Sequence, residues 1–117
     1  MRSYESLDVF QRSDKLALKI YIITRKFPRE ELFGITSQLR RAASSIPTNI
    51  VEGYTRNSTK EFLQFLNVAK ASAAETRYWL GFSGKLGYIK EPELSELISE
   101  TEVIIKMLTK LVQSLST

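Results

Sequence analysis

The chain has 117 residues, of which 43% are hydrophobic and 26% charged, and its net charge is +4. This length fits a single domain, residues 1–117, and the composition is that of a globular protein, neither disordered nor membrane-spanning. Cysteine and histidine are both absent, which excludes disulfides and thiolate chemistry and removes the commonest general base and metal ligand. Together with an N-terminus that lacks an apolar leader, these features predict a cytoplasmic location.

The first predicted element is a helix at about residues 8–27. Val9, Leu16 and Ile23 form one apolar row at helical spacing, with further rows beside it. Pro28 ends the segment, because the residue before a proline avoids the helical conformation.

A second helix is predicted at about residues 35–55, where Leu39, Ile46 and Ile50 recur at helical spacing. Pro47 lies inside it. Since proline lacks the N–H that the helix needs and its ring crowds the carbonyl of Ala43, the sequence predicts a kink or break near this position.

The third helix, at about residues 59–87, has the clearest start, because Ser58 and Glu61 match a capping box. Two apolar rows follow. The first is Phe62, Leu66, Ala69, Ala73 and Leu80, and the second is Phe65, Val68, Ser72, Trp79, Phe82 and Leu86. Both rows are predicted to face the core. Tyr78, Trp79 and Phe82 could instead form a stacking platform for bases, but at helical spacing such aromatics are more often core.

The last helix, at about residues 92–115, opens at Pro92 and carries a wide stripe of leucine and isoleucine. No segment alternates with the period of a strand. The sequence therefore predicts an all-α, antiparallel, up-down four-helix bundle.

Several polar residues interrupt the predicted apolar rows. Glu75 falls between Ser72 and Trp79, and Asn49 falls after Ile46. A buried carboxylate requires a partner, so we expect Glu75 to contact a basic or amide side chain. The candidates for that partner are Arg40, Arg41, Arg56 and Asn49. The candidate buried polar network is Asn49, Glu52, Arg56, Glu61 and Glu75. It is interpreted as a structural lock on helix register, with a ligand site as the alternative.

Positive charge is concentrated in the first two helices. Residues 1–60 hold 11 Lys and Arg against 6 Asp and Glu, whereas residues 61–117 hold 6 against 7. This bias predicts a surface that faces a polyanion, with an ordinary solvated helix face as the alternative. The candidate nucleic-acid-binding residues are Arg12, Lys15, Lys19, Arg25, Lys26, Arg40 and Arg41.

The search for enzymatic motifs finds none. No glycine-rich phosphate loop with its lysine occurs, and no serine has a recognisable base beside it. A di-metal carboxylate site of the bundle type would need histidines that the chain lacks. We therefore expect no enzyme activity, no metal and no cofactor.

Three motifs resemble a known family. "LDVFQRS", "FPREELFGITSQLRRAASSIP" and "NIVEGYTRNSTKEFLQFL" are similar to the four-helix bundle proteins encoded in intervening sequences of bacterial 23S ribosomal RNA genes. The resemblance implies a ring assembly, usually a homopentamer, and a relationship to the accessory variability determinant proteins of retroelements, which bind nucleic acid and a reverse transcriptase. The family's recurrent polar positions fall on Asn49, Glu52, Gly53, Arg56, Glu61 and Glu75. Val51 and Ala71 depart from its pattern.

Two functions follow as hypotheses. The first is a non-enzymatic oligomer that binds RNA or DNA through the basic surface of a ring. The second is a protein–protein interaction scaffold that binds no nucleic acid, for which Tyr4, Tyr21 and Tyr54 are loose candidates for an exposed contact surface.

Overall fold

Four α-helices dominate the computed structural model, which describes residues 3–116. They are α1 (Asp8–Ile23), α2 (Ile35–Tyr54), α3 (Thr59–Lys85) and α4 (Glu93–Leu115). Each helix packs against the next along the chain, and α1 also contacts α4, which closes a bundle measuring 43 × 23 × 21 Å. No strand occurs in the described residues. The predicted all-α four-helix bundle is confirmed, while residues 1, 2 and 117 of the predicted domain lie outside the described part.

Three short 3-10 helices accompany the bundle, at Tyr4–Ser6, Thr24–Lys26 and Arg29–Glu31. The second of them explains why α1 ends before the predicted residue 27. The Thr24 hydroxyl donates to the carbonyl of Ile20 at 2.7 Å, and the tighter turn that follows leads to an extended Phe27 before Pro28. Phe27, directly before the proline, is thus extended as the proline rule requires, while the 3-10 turn ends α1 earlier than predicted.

Helix α2 runs through Pro47 without interruption, so the predicted break is absent, whereas a bend there stays a prediction. Side chains donate to carbonyls close to the proline. The Thr48 hydroxyl bonds to the carbonyl of Ser44, and the Asn49 amide bonds to that of Ser45 at 2.7 Å. They go to the two carbonyls after that of Ala43, which is the one that the proline leaves without its N–H donor.

The junction between α2 and α3 depends on Gly53, which is buried. A Cβ atom placed there would lie 2.8 Å from the Cβ of Phe65 and 2.9 Å from the Cδ1 of Phe62, so only glycine allows the two helices to approach this closely. Ser58 caps α3 as predicted, since its Oγ accepts from the backbone N–H of Glu61 at 3.2 Å.

The turn between α3 and α4 uses Gly87 at φ +79°, a conformation that favours glycine. Beyond it, Glu91 accepts from the backbone N–H and the hydroxyl of Ser95, at 2.9 and 2.8 Å. These bonds to Ser95 lower the pKa of the Glu91 carboxyl, because they stabilise its charged form. Glu91 therefore has a direct structural role at the start of α4.

The core contains one of the two rows predicted on α3. We define the inner row of α3 as Leu66, Ala69, Ala73, Thr76 and Leu80, each of which is 0% exposed. The prediction that the second row also lies in the core is wrong for three of its members. Val68, Phe82 and Leu86 are 48%, 39% and 46% exposed. In the described residues, no helix is long and apolar enough to cross a membrane.

Candidate nucleic-acid interface

The predicted buried polar network lies at the surface. Glu52 and Arg56 are both exposed and form an ion pair of 2.9 Å one turn apart on the end of α2. Glu61 is also exposed, and its carboxylate accepts from the Ser58 hydroxyl at 3.2 Å. Asn49 is half-buried and donates to Ser45. The prediction of a connected buried network is therefore wrong, because these residues bond locally along the chain.

Glu75 shows the largest departure from the prediction, because its side chain is exposed on the outside of α3. The Trp79 indole N–H donates to its carboxylate at 3.3 Å, and none of the four predicted partners forms an ion pair with it in residues 3–116. Arg41 lines the same polar cleft between α2 and α3, yet no ion pair joins it to Glu75 in the described structure. Ser72 and Trp79, the predicted row neighbours of Glu75, are buried and half-buried, whereas Glu75 itself lies on the exposed side of α3.

Arg12, Lys15 and Lys19 lie together, as their spacing on α1 requires. They line a cleft of about 450 Å³ between α1 and α4, which Asp8 and Glu100 also line. Lys19 pairs with Glu100 at 2.6 Å, whereas neither Arg12 nor Lys15 has a carboxylate partner in residues 3–116. Two of the three cations on this flank are therefore free to contact an external anion.

Arg40 has a structural role that its sequence position did not reveal. Its Nε donates to the Thr24 hydroxyl at 2.8 Å, one Nη donates to the carbonyl of Tyr21 at 3.4 Å, and the guanidinium lies 5.0 Å from the centre of the Tyr21 ring. Arg40 therefore holds the end of α1 against α2 and is only half-exposed. Its neighbour Arg41 is exposed and points to a different cleft.

A second basic cleft, which we call the arginine cleft, lies where α1 ends and α2 begins. Its volume is about 290 Å³. It is lined by Thr24, Arg25, Phe27, Pro28, Arg29, Leu32, Thr36 and Arg40. No carboxylate lines it, and none of its three arginines forms an ion pair within the described chain. Sequence reasoning identified Arg25 and Arg40 but missed Arg29 and Thr36, which the fold brings beside them.

Lys26, the remaining candidate, is exposed on the same 3-10 turn as Arg25.

Glu31 joins two loops at the same end of the bundle. Its carboxylate accepts from the Tyr88 hydroxyl at 2.9 Å and from the backbone N–H of Ile35, at the start of α2, at 3.4 Å. The hydrogen bond to Glu31 raises the pKa of the Tyr88 phenol, because the bond exists only while the hydroxyl is protonated. Sequence reasoning assigned no role to either residue, since they lie 57 positions apart.

The exposed face of α3 carries an apolar row, which we call the outer row. Its members are Val68, Ala71, Glu75, Tyr78, Phe82 and Leu86, all of them exposed. Tyr78, Trp79 and Phe82 contact one another, with ring centres 5.1 to 6.0 Å apart. The preference for a core position is wrong for Tyr78, which is 58% exposed, and for Phe82, while Trp79 is half-buried against the core.

A second apolar surface lies on another side of the bundle, between α1 and α2. This groove, of about 520 Å³, contains Leu18 and Tyr21, which are 59% and 42% exposed. Its other lining residues are Phe10, Asp14, Ala17, Ser44, Pro47, Thr48 and Val51. Among the tyrosines predicted as candidates for a contact surface, Tyr21 thus lies in an apolar groove.

No group of three or more carboxylates in residues 3–116 is arranged to hold a metal ion. The site consists instead of two basic clefts at the surface, together with two apolar surfaces. Such an arrangement can bind anions and apolar side chains.

Comparison with known proteins agrees with this architecture. The chain is similar to the crystal structure of a protein with unknown function from the S23 ribosomal protein family of Bacteroides thetaiotaomicron VPI-5482. The two share 27% sequence identity and a TM-score of 0.83, over 90% of this chain and 95% of that one. No curated protein matches. The family model for the 23S rRNA-intervening sequence protein matches residues 5–110, and neither description names an enzymatic activity. The chain therefore belongs to the 23S rRNA-intervening sequence protein family.

Proposed function

We propose that this protein is a non-enzymatic oligomer that binds RNA or DNA through its basic surface, in the cytoplasm. The observation that carries the proposal is that most of the seven predicted cations form no ion pair. Only Lys19 forms an ion pair within the described residues, so the other six positive side chains keep their charge unpaired there. Binding through unpaired surface cations is insensitive to sequence and weakens steeply as salt is added.

Self-assembly is part of the same proposal. The outer row of α3 and the groove between α1 and α2 are two different apolar surfaces on different sides of the bundle. A contact between unlike surfaces is heterologous, and it generates a ring when the rotation closes. Pairing the outer row with itself is disfavoured, because Glu75 lies near its middle and would bring two carboxylates together. We therefore favour a ring, with the homopentamer that the resemblance implies.

Nucleic-acid binding is tested by fluorescence anisotropy with short labelled RNA and DNA over a range of salt concentrations. We expect binding at low salt. The double variant Arg12→Gln with Lys15→Gln should reduce the slope of log affinity against log salt by about 1 to 2. Lys106→Gln with Lys110→Gln removes the same charge from α4 and is the matched control. Arg40 is avoided, since it holds α1 to α2. An absence of binding at low ionic strength would refute the proposal.

Assembly is tested by light scattering on the purified chain. We expect a mass several times that of the 13.4 kDa protomer, independent of added nucleic acid. A stable monomer at micromolar concentration would contradict the ring.

A protein–protein scaffold is the second candidate function, favoured by the apolar groove that contains Leu18 and Tyr21. A nucleic-acid enzyme such as a reverse transcriptase is the partner class that the resemblance implies. Co-purification with and without nuclease distinguishes the two functions. A scaffold keeps its partner after nuclease treatment, whereas a nucleic-acid binder loses both the partner and the absorbance of nucleic acid.

A further inference from the structure

The arginine cleft combines several observations that point to a ligand. Three arginines, Arg25, Arg29 and Arg40, come from three separate elements and line one concave surface without a carboxylate among them. Guanidinium groups carry fixed forks of donors that match the oxygens of a phosphate. Three cations that line one concave surface without a carboxylate give it a positive potential, which suits it to an anion.

Arg40 is already positioned for such a role. Its bonds to Thr24 and Tyr21 and its stacking on the Tyr21 ring fix the guanidinium plane before any ligand arrives. The Thr24 hydroxyl completes this arrangement, since it donates to Ile20 and accepts from Arg40 at the same time. A side chain held in this way loses little rotamer freedom when it binds.

Thr36 provides an independent second observation. It is only 3% exposed, it lines the cleft, and its Oγ1 has no hydrogen-bond partner in the described residues. The other threonine hydroxyls that are bonded within helices donate to the carbonyl four residues earlier, as Thr76 and Thr101 do. Thr36 lies in the first turn of α2, where the residue four positions earlier is outside the helix. A buried hydroxyl without a partner is costly, so a ligand oxygen in the cleft would satisfy it.

The cleft's surroundings favour a nucleotide unit over a bare anion. Leu32 lines the cleft and is 47% exposed, and Phe33, the next residue, is 92% exposed. An exposed aromatic beside a phosphate-binding surface can stack on a base. Glu31, which could repel an anion, is occupied by Tyr88 and by the N–H of Ile35, and it does not line the cleft.

We propose that the arginine cleft binds a phosphate group of a nucleic-acid strand, with Arg25, Arg29 and Arg40 contacting its oxygens and the Thr36 hydroxyl donating to one of them. The inference rests on the proposed function and gives it a specific point of contact. The phosphate could be the terminal group of a strand or an internal phosphodiester, and the experiment separates these sources.

The test uses the full chain and short single-stranded RNA labelled at the 3′ end, either with a 5′-phosphate or with a 5′-hydroxyl. For a terminal phosphate, we expect the phosphorylated strand to bind about tenfold more tightly. Arg25→Gln with Arg29→Gln should abolish this preference, and Thr36→Val, which keeps the shape of the side chain, should reduce it about threefold. Lys85→Gln with Lys90→Gln removes two exposed charges from the same end of the bundle, outside the cleft, and should leave the preference unchanged.

The other outcomes are equally informative. If both strands bind equally and both weaken in Arg25→Gln with Arg29→Gln and in Thr36→Val, an internal phosphodiester is the ligand. If the strands bind but none of these variants differs from the Lys85 and Lys90 control, the cleft inference is overturned while the proposed function stands. If no strand binds, the proposed function fails. Inorganic phosphate then tests the cleft inference by itself. The inference is supported if phosphate raises the melting temperature of the wild type but not that of Thr36→Val, and it is overturned by any other result.

Discussion

Helix α3 carries two apolar rows with the same spacing, of which one is buried and the other is exposed. The inner row uses positions 66, 69, 73, 76 and 80, and the outer row uses 68, 71, 75, 78 and 82 before it continues to Leu86. A shift of two residues is about 200° around a helix, so the two rows lie on opposite faces. The inner row is fully buried within the chain, whereas the outer row is exposed. Helical periodicity therefore shows that a face is suited to packing, but it does not show whether the rest of the chain covers that face.

The largest expected effect is on the inner row. Leu80→Ala removes a fully buried side chain that packs in the core, and it should lower the free energy of unfolding by about 2–5 kcal/mol in chemical denaturation. Phe82→Ala on the outer row is the matched control, measured at a dilution where the chain is monomeric. An equal loss in the two variants would show that the rows do not differ as described.

The next effect concerns assembly alone. Phe82→Glu places a charge on the outer row, which we propose another copy covers, and it should weaken association about 30-fold or more, with a mass by light scattering that falls towards the protomer. Helix content should be unchanged. Ser99→Glu introduces the same charge at an exposed position of α4 and should leave the mass as it is. Retention of the full mass by Phe82→Glu would exclude the outer row from the interface.

Removing the Glu75 side chain should change the free energy of unfolding less, and the size of the change tests whether this position is buried or exposed. If it were half of a buried ion pair, as its position among apolar residues suggested, its removal would cost about 3–5 kcal/mol. Because the side chain is exposed, Glu75→Ala in the monomer should change the free energy of unfolding by no more than about 0.5 kcal/mol. Thermal or urea denaturation measures this, and a loss of several kcal/mol would place Glu75 in a buried contact.

The smallest expected effect is on the pH dependence of stability, and it concerns Tyr88, just after the end of α3. The raised pKa of Tyr88 means that folding favours the protonated phenol. The stabilisation is therefore fully present below the normal tyrosine pKa of about 10, and it is lost as the pH rises through the higher pKa of the folded state. The free energy of unfolding, measured from pH 8 to 11, should fall less with rising pH in Tyr88→Phe than in the wild type. The reason is that the variant has no phenol to ionise at this position. Tyr4→Phe, which alters a tyrosine at the other end of the chain, is the control. An unchanged pH profile in Tyr88→Phe would contradict a role for the bond to Glu31.

The architecture was predictable because it depends on local rules. Four amphipathic periods, a capping serine at position 58 and turn-forming glycines each act over a few residues, and together they determine where the helices run. The errors are also local in origin. Pro47 did not interrupt α2, and the 3-10 turn at Thr24–Lys26 replaced the last predicted turn of α1.

The candidate site was predictable only in part. The sequence identifies every cation, and helical spacing alone groups Arg12, Lys15 and Lys19 on one flank. It could not show that Arg40 holds α1 to α2, or that Arg29 and Thr36 lie beside Arg25, because these positions meet only when the loop after α1 folds back on α2.

By itself, then, the sequence determined that the chain forms four helices and which residues are apolar, charged or capping. The tertiary structure decided which apolar row of α3 is buried, which cations are free, and that three arginines and an unpartnered hydroxyl share one cleft. The physical reason is that helix formation depends on neighbours three or four residues apart, whereas burial and charge pairing depend on residues brought together from distant parts of the chain.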